Sequence, residues 1–110
     1  MRVISQDGTI DMPYEEVIIQ RFRSRIYFLN KNLTGVESLS DDMQIAEYST
    51  EAKAIKAMEM LREHNEGVNF LKTIINTEKG AQFVSILPEA AFDKMTQNYF
   101  QFPQDDEIEV

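Results

Sequence analysis

The sequence predicts an α+β fold, in which an antiparallel β-sheet of N-terminal hairpins packs with one long and one shorter helix. Two segments near the N-terminus are rich in β-branched and aromatic residues, which favour strands. An Asp-Gly pair marks a tight hairpin turn, and apolar residues recur at helical spacing after Ser49. The 110 residues suit a single domain, whose acidic tail over 104–110 we expect to be solvated.

The first hairpin is predicted from Arg2–Ser5 and Thr9–Met12, which flank the Asp-Gly turn. Pro13 lacks a backbone donor and should end the second of these strands or lie on an edge of the sheet. The next strands are Val17–Phe22 and Arg25–Asn30, and neither alternates cleanly between apolar and polar residues. Both faces of their sheet should therefore be covered, one by a helix and the other by a second subunit.

Gln44–Ser49 is predicted to be a strand that leads into a helix over Thr50–His64, with Ser49 as N-cap and Gly67 as the stop signal. The lone histidine, His64, then lies in the last turn, where a cation suits the helix dipole. Beyond it, two alternatives stay open. Residues 73–76 and 81–86 form a second hairpin, or a helix covers Val68–Ile75. Pro88 should begin a short helix, and Tyr99–Phe102 should form a final strand.

Composition excludes several kinds of chemistry. There is no cysteine and only one histidine, and the carboxylates lack the spacing of a calcium loop, so we expect neither a metal nor another cofactor. The four glycines are too far apart to form a phosphate-binding loop. Paired carboxylates leave acid–base catalysis open, but a binding protein is favoured over an enzyme. No apolar run has the length of a signal peptide or a membrane span, and the net charge of −8 disfavours binding to duplex nucleic acid.

The basic residues are concentrated in one segment. Residues 17–36 contain Arg21, Arg23, Arg25 and Lys31 but no acid, which gives +4 there and −12 in the rest of the chain. Guanidinium groups bind phosphates in bidentate fashion and stack on planar rings. The segment therefore predicts a local anion site, with an ordinary solvated hairpin as the alternative.

Four segments resemble small proteins of phages and mobile elements in Gram-positive bacteria, in particular the first-described family of Thoeris anti-defence proteins. The resemblance covers residues 1–64 and 98–110 but not 65–97. The segments that carry it are Met1–Glu15, Tyr48–Ala54, Ala57–Leu61 and Phe100–Pro103.

This resemblance implies a sponge, which captures the cyclic ADP-ribose-type signal of TIR-domain defence enzymes without cleaving it. Some members of the family also hold cyclic trinucleotides. It further implies a homo-oligomer, a dimer or a dimer-based hexamer, that acts in the host bacterial cytoplasm. The ligand residues are chosen here by chemistry, with arginines for phosphate, aromatic rings for base stacking and an amide for hydrogen bonding. They are Arg21, Arg23, Arg25, Arg62, Asn98, Phe100 and Phe102.

Two other functions remain open. An acidic phage protein can inhibit a host defence effector by protein–protein binding, as some anti-CRISPR proteins do. Such an inhibitor needs acidic residues on one face and binds more weakly as salt increases. A structural or regulatory phage protein without a small ligand is the third possibility.

Overall fold

The computed structural model describes residues 1–30, 43–74, 77–86, 88–89 and 97–109. These residues confirm the α+β class, with one long helix and strands arranged in two small sheets. In chain order the elements are β1 (Arg2–Ile4), β2 (Asp11–Pro13), β3 (Val17–Phe22), β4 (Arg25–Asn30), β5 (Gln44–Glu47), α1 (Glu51–Ile74), α2 (Glu78–Ile86) and β6 (Tyr99–Gln101), with 3₁₀ turns at Tyr14–Glu16 and Asp105–Glu107.

The single antiparallel sheet that the sequence predicts is replaced by two three-stranded sheets, ordered β2-β1-β6 and β3-β4-β5. The strands of the second sheet are antiparallel, but β6 runs parallel to β1. The prediction of a single sheet was wrong. Strand β2 ends at Pro13, as expected, but a 3₁₀ turn then separates it from β3, which belongs to the other sheet. The last strand of the chain, rather than β3, pairs with the first hairpin.

The Asp-Gly turn of the first hairpin is confirmed. Gly8 has a φ of 78°, in the left-handed region that glycine tolerates best. The Asp7 carboxylate accepts hydrogen bonds from the Ser5 hydroxyl and from the backbone N–H and hydroxyl of Thr9, at 2.7, 3.0 and 2.7 Å. These bonds stabilise the ionised form and lower the pKa of Asp7 to about 2.

The β3–β4 hairpin closes through a two-residue turn, since Phe22 pairs with Arg25. Arg23 takes the left-handed conformation, with a φ of 56°, that a glycine would adopt more easily. Val17 and Ile19 on one face of β3 pack against the core. On the opposite face Ile18 is 48% and Phe22 53% exposed, so the single chain leaves both uncovered.

Helix α1 begins after Thr50, whose hydroxyl accepts the N–H of Lys53 at 3.2 Å. The expected N-cap, Ser49, has another role. Its N–H and hydroxyl both donate to the carboxylate of Asp105, at 2.6 and 3.1 Å. The cap was misplaced by one residue because the partner of Ser49 lies 56 residues away in sequence.

The predicted end of α1 near His64 and Gly67 is wrong, because the helix continues to Ile74, as in the alternative over 68–75. A glycine inside a helix costs about 1 kcal/mol relative to alanine. Burial of a few aliphatic side chains outweighs that cost. The buried stripe continues on both sides of the glycine at spacings of three and four, through Ala54, Ala57, Leu61, His64, Val68 and Leu71.

The second predicted hairpin is also wrong, since residues 78–86 form helix α2. Phe83, Val84 and Ile86 favour a strand by composition. Glu78 in the first turn suits a helix N-terminus, however, and α2 packs against α1. The helix predicted to start at Pro88 lies outside the described residues, apart from Pro88 and Glu89.

Gln6 joins the two sheets to the C-terminal segment. Its backbone N–H donates to the carbonyl of Ile45 at 2.8 Å, and its side-chain oxygen accepts the N–H of Glu47 at 3.0 Å. Its side-chain N–H donates to the carbonyl of Pro103 at 3.1 Å, and its own carbonyl accepts from Gln104 at 2.6 Å. One residue between β1 and β2 thus contacts β5 and the segment after β6.

The acidic tail, expected to be solvated, is docked against the molecule as far as it is described. Asp105 binds Ser49 and also accepts from the Lys53 ammonium at 3.1 Å. The Tyr48 hydroxyl donates to the Pro103 carbonyl at 2.8 Å. Ile108 is only 4% exposed and belongs to the main core, which also contains Val3, Met12, Ile26, Ile45, Ala46, Phe100 and Phe102.

Replacing Gln6 should destabilise the whole fold. In Gln6→Ala the Glu47 N–H loses its side-chain acceptor and the Pro103 carbonyl loses one of its two donors, the other being the Tyr48 hydroxyl. For the loss of two hydrogen bonds we expect the free energy of unfolding to fall by about 1–3 kcal/mol in urea denaturation. Gln20→Ala, on the exposed face of β3, is the control and should stay within about 0.5 kcal/mol of wild type. Equal stability of the two variants would contradict the linking role of Gln6.

Ile108→Ala tests the docked tail. Truncation of a buried isoleucine should lower the free energy of unfolding by about 2–5 kcal/mol, because it removes apolar contacts and leaves a cavity. The exposed neighbour Glu109 provides the control variant, Glu109→Ala. A denaturation curve of Ile108→Ala that coincides with that of wild type would mean that the tail is solvated after all.

Candidate functional site

Helix α1 separates two cavities, which we call the Arg62 cavity and the Tyr99 cavity. Their volumes, about 610 and 530 Å³, lie in the range of small-molecule sites. Because an α-helix turns about 100° per residue, the residues that α1 contributes to each cavity fall on opposite sides of the helix. These residues are Met58, Leu61, Arg62, Asn65 and Asn69 for the first cavity and Met60, Glu63, His64 and Gly67 for the second.

The Arg62 cavity combines an apolar lining with polar side chains. Tyr14 comes from the 3₁₀ turn before β3, whereas Arg62, Asn65 and Asn69 follow one another along α1 at spacings of three and four. This spacing places a guanidinium and two amides in a row on one side of the helix. The apolar part of the lining consists of Val17, Ile19, Met58 and Leu61.

The Arg62 cavity contains charged groups of both signs. Among its described lining residues Glu15 is the one acid, and this carboxylate accepts a hydrogen bond from the Met1 ammonium at 2.8 Å. That bond, with smaller contributions from other groups that include the charge of Lys72, lowers the pKa of Glu15. The described lining thus combines one arginine with one carboxylate that is paired with the Met1 ammonium.

The Tyr99 cavity has aromatic and acidic walls. Phe100 and Phe102 contact each other edge-to-face, with ring centroids 5.3 Å apart, and both are buried. His64 lies 2.7 Å through Nε2 from the carbonyl oxygen of Gln97, and its ring is 5.9 Å from Phe100. The expected position of His64 in a last helical turn is therefore wrong, because α1 continues and the imidazole is buried in mid-helix. Tyr99 is 46% exposed at this cavity.

The three hairpin arginines line neither cavity. Arg21 donates to Glu51 and to the carbonyl of Arg23, both at 2.9 Å, and Arg25 Nε lies 3.5 Å from a carboxylate oxygen of Glu47. Arg23 is exposed at the turn, with its guanidinium carbon 5.4 Å from the centroid of the Phe22 ring. These arginines thus contact acids and a ring of their own chain.

The remaining predicted residues do not share one cavity. Arg62 lines its own cavity, whereas Phe100 and Phe102 line the Tyr99 cavity on the other side. Asn98 is exposed and lines neither, and its carbonyl accepts the N–H of Arg2 at 3.1 Å. The structure therefore does not bring the predicted residues together, and their roles in ligand binding stay predictions.

Sequence reasoning missed Tyr14, Asn65 and Asn69 in the Arg62 cavity and Glu63 in the Tyr99 cavity. The signal that could have found the asparagines is their spacing from Arg62 along one helical face. That signal was hidden because the helix was expected to stop at His64. The exposure of Tyr99 could have been predicted from the alternation of side chains along a strand. If Phe100 points into the core, its neighbour Tyr99 points outward.

Within the described ranges, no group of three or more histidines, cysteines or carboxylates is placed to hold a metal ion. Among the same residues, no helix is both long enough and apolar enough to cross a bilayer. Comparison of the chain with protein-family models, curated protein sequences and solved structures finds no match. The resemblance to Thoeris anti-defence proteins therefore stays a prediction.

The ion pair beside the Arg62 cavity predicts a pH dependence of stability. Because folding lowers the pKa of Glu15 below 4.5, its stabilisation should be present above pH about 4.5 and be lost as the pH falls through the folded-state pKa. Glu15→Gln should therefore lower the urea midpoint near neutral pH and have little effect in strong acid. Glu16→Gln, in the same turn, is the control. If the urea midpoints of wild type and Glu15→Gln differed by the same amount at all pH values, this explanation would be contradicted.

Proposed function

We propose that this chain captures a small phosphorylated ligand of the cyclic ADP-ribose class in the Arg62 cavity and holds it without cleavage. The observation that carries the proposal is the lining of that cavity, where an arginine and two asparagine amides adjoin apolar side chains. Of the two cavities, it is the one whose described lining includes an arginine, and the other contains neither arginine nor lysine among its described lining residues. Phosphate requires positive charge, and a nucleobase and ribose require an apolar surface with hydrogen-bonding groups at its edges.

Each part of the lining has a role in this proposal. The Arg62 guanidinium binds a phosphate through two parallel hydrogen bonds, with Lys72 and the Met1 ammonium adding to the favourable field. Asn65 and Asn69 donate to and accept from the base or the ribose hydroxyls. The Tyr14 ring provides a planar surface for stacking.

A sponge must bind tightly, and nanomolar affinity corresponds to about −12 kcal/mol. Charge-assisted hydrogen bonds of about 1.5–3 kcal/mol each supply part of this, and the remainder requires the ligand to be enclosed. The homo-oligomer is part of the proposal for that reason, since a second copy would cover the open side of the cavity. The exposed Ile18 and Phe22 offer apolar surface for such an assembly.

Capture without cleavage agrees with the chemistry of the lining. General-base catalysis is most effective when the pKa of the base lies near the working pH. The carboxylate in the described lining, Glu15, has a lowered pKa and is occupied by the Met1 ammonium, which makes it a weak proton acceptor. In the host cytoplasm such a protein would suppress the defence by lowering the free concentration of the signal.

The test is a capture experiment with site variants. The pure protein is incubated with cyclic ADP-ribose isomers and cyclic trinucleotides, separated from unbound ligand and heat-denatured, and the released molecules are identified. We expect intact cyclic nucleotide from wild type. Arg62→Gln should weaken binding about 10- to 100-fold, the loss expected for a charge-assisted hydrogen bond. Arg23→Gln, an exposed arginine outside both cavities, is the matched control and should bind like wild type.

The other outcomes point to different conclusions. Loss of capture in Arg23→Gln but not in Arg62→Gln would move the site to the hairpin. Release of a linear product would identify an enzyme. If no nucleotide is recovered, the alternative of an acidic protein that inhibits a defence effector by protein–protein binding is favoured.

A further inference from the structure

The Tyr99 cavity has an acidic described lining and does not fit the proposed phosphorylated ligand. Its described lining contains two carboxylates, Glu63 and Glu107, and neither lysine nor arginine. We infer that this cavity is a second binding site, for a small organic cation that carries its charge on a planar ring or a substituted ammonium group. This inference is independent of the proposed nucleotide capture.

The two carboxylates come from different elements, Glu63 from α1 and Glu107 from the 3₁₀ turn after β6. Among the described residues, the Glu63 carboxylate is exposed and makes no ion pair. Glu107 accepts the backbone N–H of Gln104 at 2.9 Å, which fixes its side chain beside the cavity. A cation between them would meet negative charge from both sides.

Two cations close to these carboxylates have other positions or partners: Arg62, the neighbour of Glu63, and Lys53, which contacts Asp105 two residues before Glu107. Arg62 precedes Glu63 but faces the other cavity. Lys53 is bound to Asp105, at 2.8 Å from its carbonyl and 3.1 Å from its carboxylate. Neither of them belongs to the described lining of the Tyr99 cavity.

The aromatic rings of the lining favour a cation over a neutral polar ligand. The faces of aromatic rings attract cations that lie within about 6 Å of the ring centroid. Tyr99 is the exposed aromatic side chain of the lining, and Phe100 lies beside it in β6. Carboxylates together with ring faces form the type of lining that recognises substituted ammonium groups and cationic rings.

A matched pair of ligands tests the charge requirement. The 1-methylnicotinamide cation and neutral nicotinamide share one ring and differ in a methyl group and a positive charge. In calorimetric titrations of the full chain at low salt, we expect the cation to bind at least about 10-fold more tightly than the neutral amide. Added salt should weaken binding of the cation and leave binding of nicotinamide unchanged. Equal affinities for the two ligands, or no binding of the cation, would overturn the inference.

Variants test whether the cation binds in the Tyr99 cavity and whether its binding is independent of nucleotide capture. Glu63→Gln should reduce the affinity for 1-methylnicotinamide about 10-fold, whereas Glu59→Gln should not, because Glu59 lies outside the lining and 3.8 Å from the Lys56 ammonium. Tyr99→Ala should weaken binding of the cation. Phe22→Ala, which removes a ring of similar exposure elsewhere, is the control. Arg62→Gln should leave cation binding intact even if it abolishes nucleotide capture. Unchanged affinity in both Glu63→Gln and Tyr99→Ala would exclude this cavity.

Discussion

The hydrogen bonds of Gln6 are the constraint on which the rest of this structure depends. In the part of the chain that the structure describes, each sheet has three strands, and sheets of this size need support from packing. Gln6 joins the first sheet to β5 of the second and to residues 103–104 after β6. The segment held in this way includes Tyr99 and Glu107, which face α1 across one of the two cavities. The shape of that cavity therefore depends on contacts made by a residue outside it.

The sequence predicts those parts of the fold that depend on local signals. The Asp7-Gly8 turn, the β3–β4 hairpin and the start of α1 follow from turn chemistry and composition, and the structure contains all three. The parallel pairing of β6 with β1 depends on contacts almost 100 residues apart, which no local pattern records. Gly67 shows how two local signals compete, because the buried stripe of α1 outweighs the helix-breaking tendency of a single glycine.

The candidate sites were less predictable than the fold. Chemistry alone selected Arg62, Phe100 and Phe102, but α1 places the arginine and the rings on opposite sides. That separation follows from the angular positions of residues around a helix, which can be assigned only when the extent of the helix is known. The hairpin arginines were selected for their charge. Their acidic partners, Glu47 and Glu51, come from segments too distant in sequence for that pairing to be predicted.

The two flanks of α1 differ in charge, because an arginine and a carboxylate line one cavity and two carboxylates line the other. A helix with its side chains is about 10–12 Å across, slightly more than the Debye length of about 8 Å at physiological ionic strength. Each flank is thus partly screened from the other and keeps its own local potential, although the whole chain carries −8. A charged molecule near one flank therefore meets chiefly the charges of that flank, and added salt weakens that interaction.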